Sequence, residues 1–142
     1  MNARFCLLIA ALALATAVVL GAFGAHALKG RLAAEMLATY HTAVEYHFWH
    51  ALGLLGVGAL MSRSPDDSAL KWVAWLLIAG LLLFSGSLYL LALTGASWLG
   101  AVTPLGGVAF IAAWLPARRI DQSTLAPEAL TTFAHFSLSA RM

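Results

Sequence analysis

Three stretches of this chain carry no formal charge: Phe5 to Leu28, Tyr46 to Ser62 and Trp72 to Ala117. A helix crossing a hydrocarbon core of about 30 Å needs roughly 20 apolar residues, so each stretch is material for a membrane span. The third is long enough for two, and it divides at the turn-prone residues Thr94, Gly95, Ala96 and Ser97. Composition points the same way. The 142 residues are 62% hydrophobic and 10% charged, with a mean hydropathy of +0.88, whereas a soluble domain is about 25% charged.

The pattern predicts an all-α, four-helix transmembrane bundle. One membrane domain, residues 1–117, holds spans at about 5–25, 45–62, 72–93 and 98–116, with a cytoplasmic tail at 118–142. The first span differs from a secretory signal peptide. Arg4 precedes it and Ala25-His26-Ala27 resembles a cleavage site, but its apolar run exceeds the roughly 7 to 15 residues of a signal core. Cys6, the only cysteine, cannot form an internal disulfide.

With four spans, Arg4, Arg63, Lys71, Arg118, Arg119 and Arg141 share one side and only Lys29 and Arg31 lie on the other. The positive-inside rule then places both termini in the cytoplasm. No basic cluster with interleaved aromatics suggests nucleic acid as a partner. Ala13, Ala17, Gly21 and Ala25 form a row of small residues along the first helix, with Gly53, Gly56 and Gly58 doing the same in the second, so neighbouring backbones can approach closely.

Between the first two spans, Leu28, Leu32, Ala33, Met36, Leu37, Tyr40 and Val44 fall on one side of a helical wheel. Arg31, Glu35, Thr39 and Thr42 fall on the other. This amphipathic stretch predicts an interfacial helix, or an extension of the second span, at the outer surface. The Asp66-Asp67 pair after Pro65 reads as a turn and a cap for the third helix.

The segment YHTAVEYHFWH, Tyr40 to His50, carries three of the five histidines. At about 1.5 Å per residue, His26 falls at the outer end of the first span and His47 and His50 roughly 3 and 8 Å inside the second. Ser85, Ser87 and Tyr89 in the third, and Thr103 and Pro104 in the fourth, fall in the same outer layer. Polar groups in hydrocarbon are costly unless paired. These residues therefore predict either a hydrogen-bonded knot or a pocket open to the outer side.

Specific chemistries fare unequally. The di-iron pattern needs Glu followed by His three residues later on two helices, which is missing. Zinc on His26, His47 and His50 would lack acidic or thiolate partners within the spans. Haem between His26 and His50 requires the two to face each other from adjacent helices. FSGSLY is not a nucleophile elbow, and Pro104-x-Gly106-Gly107 is the one hint of a broken transporter helix.

GAFGAH (Gly21 to His26), YH-x-x-HALGLL (Tyr46 to Leu55), FSGSLYLLALTG (Phe84 to Gly95) and TPLGGVAFIAAW (Thr103 to Trp114) together resemble the YgdD-like family. These are small inner-membrane proteins, also called domain of unknown function 423, with mitochondrial transmembrane relatives. The likeness covers residues 4–116 and implies a four-helix integral membrane protein with no established activity, cofactor or catalytic residue. It also implies weighting His26 and His50 over His47, where such relatives often carry glutamine.

The expected function is therefore binding, not catalysis. It takes the form, in the bacterial inner membrane, of an accessory subunit of a larger complex, a homo-oligomer, or a lipid or small-molecule binder that uses the outer polar layer of the bundle. A haem- or quinone-linked redox protein using His26 and His50 is the alternative, and a small transporter the third reading. In the tail, Ser123 or Thr124 followed by Pro127 and Glu128 marks a short helix, with disorder as the other reading.

Overall fold

The computed structural model describes residues 1–117. The expectations for the tail at 118–142 lie outside the described residues. Helix α1, Ala3–Phe23, starts at Asn2, whose side chain accepts a hydrogen bond from the Phe5 amide at 2.8 Å. It runs on through a single π-helical turn, Gly24–Leu28, and stops at Gly30, whose φ of 81° is left-handed.

Helix α2, Ala34–Arg63, is one continuous rod of 30 residues. From Ala34 onward the amphipathic stretch is continuous with the apolar half of α2, as an extension rather than a separate helix, while Leu28 ends the π turn and residues 29–33 form the turn between. Once the chain has turned at Gly30, no proline interrupts it before Pro65, and an uninterrupted helix keeps adding hydrogen bonds. At 1.5 Å per residue α2 is about 45 Å long, and this helix begins well before residue 45.

Pro65 and a turn end α2. Helix α3, Ser68–Gly80, then begins under Asp67, whose Oδ1 accepts from the Ala69 amide at 2.8 Å and the Leu70 amide at 3.4 Å. A second π turn, Leu81–Ser85, joins α3 to α4, Gly86–Thr94, so that Ser68–Thr94 forms one rod. The expected division falls at Gly95, the left-handed cap with φ 70°. A 3-10 turn, Ser97–Ala101, leads to α5, Thr103–Ala117, with Pro104 in its first turn, where a missing amide costs no hydrogen bond.

The protein is all-helical, with no strand among the described residues. Three helical rods, Ala3–Leu28, Ser68–Thr94 and Ser97–Leu115, are long and apolar enough to cross a membrane. Helix α2 has the length, but Glu35, His41, Glu45, His47 and His50 make its first half more polar.

Helix α1 packs mainly on α2, and α5 packs on α3 and the second π turn, while α2 joins the two pairs. Along α1 the contact row is Ala10, Ala17, Gly21 and Gly24, with Gly24 rather than Ala25 against Tyr40. Steps of four residues overshoot a 3.6-residue turn and drift off the face, so a step of three restores contact. The deepest contact on the α5 side is at Gly106, where any Cβ would strike the Phe84 backbone.

Two cores result. The end that holds the start of α1 is apolar, built from Cys6, Ala10, Leu54, Val57, Met61, Leu70, Leu77 and Phe110 among others. The opposite end gathers Leu28, Tyr40 and Ala92, with Leu20, Val44 and Tyr89 packed around them.

Candidate functional site

The polar residues singled out in the sequence separate into three groups, and the face of α2 decides which residue joins which. Tyr40 and His47 are seven residues apart, two helical turns, and both face α4. The Tyr89 hydroxyl lies 3.3 Å from His47 Nδ1, and the Tyr89 ring sits 5.1 Å from that of Tyr40. Tyr40 is 0% exposed and donates its hydroxyl to the Leu20 carbonyl at 3.0 Å, which ties α2 to α1.

The second group is aromatic. Tyr46 and His50, one turn apart, face the second π turn and α5. The His50 ring stacks on Phe110 with centroids 3.4 Å apart and planes within 14° of parallel, while Tyr46 stacks on Phe84 at 4.5 Å. His50 Nδ1 is 2.7 Å from the Tyr46 carbonyl, one turn back on its own helix. Stacking of this kind fixes ring orientation and adds to simple burial.

The third group joins α4 to α5. Ser87 Oγ and Thr103 Oγ1 are 2.8 Å apart, and each hydroxyl also reaches a carbonyl of its own chain segment, Phe84 at 3.0 Å and Leu99 at 3.3 Å. Ser85, only 1% exposed, is the exception: its hydroxyl has no hydrogen-bond partner among the described residues.

His26 stands apart. It is exposed on the first π turn, beside Gly24, which abuts Tyr40. His50 is ten residues beyond Tyr40, about 15 Å along α2. The two histidines are therefore not brought face to face. Counted from Ala34, His47 and His50 lie about 20 and 24 Å along α2. His47 shares a small cavity of about 240 Å³ with Ala13 and Thr16, midway along α1.

Among the described residues no three of His, Cys, Asp or Glu come together as a metal set. Pro104 serves as a helix start and Gly106 as a contact point.

Sequence reasoning missed Tyr40, Phe84 and Phe110 as site residues, and it missed a larger cavity of about 740 Å³ between α2, α3 and Trp114. One signal was available. Tyr40, His47, Leu54 and Met61 repeat every seven residues, and Tyr40, Leu54 and Met61 are fully buried. That unbroken period marks one packed helix from Tyr40 onward.

Long apolar rods joined by short turns, with their polar side chains held between helices, define a small all-α membrane protein. The family described as "Protein of unknown function (DUF423)" matches residues 20–107, and the chain belongs to it. The UPF0382 membrane protein YwdK of Bacillus subtilis is 52% identical over 99 residues, covering 70% of this chain and 80% of that one. A UPF0382 membrane protein of Staphylococcus saprophyticus is 48% identical over 99 residues, covering 70% of this chain and 81% of its own length. The UPF0382 inner membrane protein YgdD of Escherichia coli K12 is 41% identical over 117 residues, 80% of this chain and 86% of that one. No solved structure matches the chain. The matched segment, 20–107, spans Leu20, Tyr40, His47, Ser87, Tyr89 and Thr103.

Proposed function

We propose that this is a four-span inner-membrane protein with both termini cytoplasmic, which acts by binding as an accessory component of a membrane assembly, and whose polar cluster holds its helices in register. Two features support counting α2 as the fourth span. It has the length, and its two half-buried histidines turn toward Tyr89 and Phe110 rather than outward. The basic residues support the orientation, with Arg4, Arg63 and Lys71 at one end and Lys29 and Arg31 at the other.

The observation that carries the reading is the internal pairing of the cluster. The hydroxyls of Tyr40, Ser87 and Thr103 are spent on hydrogen bonds within the chain, and Tyr89 sits within reach of His47. Groups so committed serve as interhelical glue and leave few hands free for a substrate. A two-histidine haem finds no comparable support, because His26 and His50 sit at different levels.

Gentle detergent extraction followed by native sizing tests the accessory role. The protein is expected in a species larger than a single chain in its micelle. A lone small species under every mild condition overturns that role. A Soret band in the purified protein, lost on His50→Ala, overturns the binding reading in favour of redox chemistry.

A further inference from the structure

The 740 Å³ cavity lies at the end of the molecule away from the polar cluster. Among the described residues it is walled by α1 at Leu7, by α5 at Trp114 and by the start of α3, with Gly53, Gly56 and Leu60 of α2 lining it between them. Buried Val57, Leu70 and Val73 form its floor. The Trp114 ring, seated on Gly53, closes the end nearer the middle of α2.

The other end is different in kind. Arg63, exposed at the last residue of α2, stands there beside Ser62 and Asp67. Asp67 accepts from the Ala69 and Leu70 amides at the start of α3 through one oxygen, Oδ1, and keeps its negative charge beside the mouth. The Ser62 hydroxyl is committed to the Gly58 carbonyl at 3.1 Å. The Arg63 guanidinium is the cationic group among the described residues lining this mouth, above an apolar interior. The volume falls within the range of about 300 to 1,000 Å³ typical of ligand sites.

We propose that this cleft binds an anionic amphiphile, with an acyl chain along Gly53, Gly56 and Leu60 and a phosphate or carboxylate headgroup at Arg63. Charge complementarity argues for it. Arg4, Arg63 and Lys71 gather at this end and outnumber Asp66 and Asp67 there, and basic pockets between spans on the cytoplasmic side suit anionic headgroups. Gly56 keeps the slot open: among the described residues, nothing beyond its own stretch of helix lies within 4 Å of where its Cβ would stand. The inference rests on the four-span reading but needs no protein partner, so it survives the loss of the accessory role.

The test titrates dioleoyl phosphatidylglycerol, dioleoyl phosphatidylcholine and oleate onto the detergent-solubilised full chain and counts adducts by native mass spectrometry. One saturable adduct is expected with phosphatidylglycerol or oleate, preferred over phosphatidylcholine by roughly fivefold, the worth of one basic side chain near a headgroup. The stronger of the two binders identifies the source as phospholipid or free fatty acid. Arg63→Gln removes the preference, and Gly56→Trp, which fills open space, removes the adduct while helix content by circular dichroism stays the same. Equal binding of phosphatidylcholine overturns the proposal, as does an adduct that Gly56→Trp leaves intact. Failure of all three lipids to bind the full chain also overturns it.

Discussion

The two ends of the molecule are held by different forces. At the end that holds the start of α1, Cys6, Ala10, Leu54, Met61 and Leu77 meet with almost nothing directional between them. At the other end, Tyr40, His47, Ser87, Tyr89 and Thr103 exchange hydrogen bonds across three helix pairs. Lipid tails are as apolar as leucine, so burying leucine between helices gains little from the hydrophobic effect. The apolar end depends on close fit, whereas the polar end depends on pairing. The difference teaches that polarity here sets which faces meet, and packing sets how tightly.

Gly106→Leu is expected to have the largest effect, because its Cβ would strike the Phe84 backbone, which cannot move aside as a side chain can. Loss of a monodisperse species on size exclusion checks it, and a well-folded variant would show that α5 is free to shift. Leu54→Ala comes next. It opens a hole at a fully buried position and should cost about 2 kcal/mol, the low end for such truncations because the transfer contribution is small in lipid. Unfolding in mixed micelles reads this.

Smaller still is the Ser87 to Thr103 link. Ser87→Ala and Thr103→Val should each cost about 0.6 kcal/mol, and the double variant little more than either alone, as a shared hydrogen bond requires. Full additivity would break the claim that the two hydroxyls act as a pair. Ser85→Ala should be neutral or stabilising, since it removes a buried hydroxyl that has no partner. A clear loss of stability in the same assay would reveal a partner for that hydroxyl.

Much of the fold was legible in the uncharged runs, because charge is so costly in hydrocarbon that its absence marks where helices pass. The turns were legible for the same local reasons: Gly95 adopts a left-handed conformation and Asp67 caps α3. The extent of α2 was not. Glu45, His47 and His50 lower hydropathy over a window, but a window averages around the helix and cannot tell a histidine facing Phe110 from one facing lipid. The sevenfold spacing of Tyr40, His47, Leu54 and Met61 carried that information. Pairing across helices, such as Ser87 with Thr103 or His50 with Phe110, depends on axial stagger, which no single segment encodes.

The π turn at Leu81–Ser85 acts as a phase shifter. A π turn accommodates one residue more than the α-helix around it, and the side chains that follow swing by about 100°. Before it, Leu70, Val73, Leu77 and Gly80 keep the buried stripe; after it, the stripe resumes at Ser85 and Ala92 instead of one residue earlier. A deletion of one exposed leucine there would leave hydropathy, charge and span length almost untouched, yet would rotate Tyr89 away from His47. Chain length between Gly80 and Gly86 is thus a hidden part of the recognition between α2 and α4.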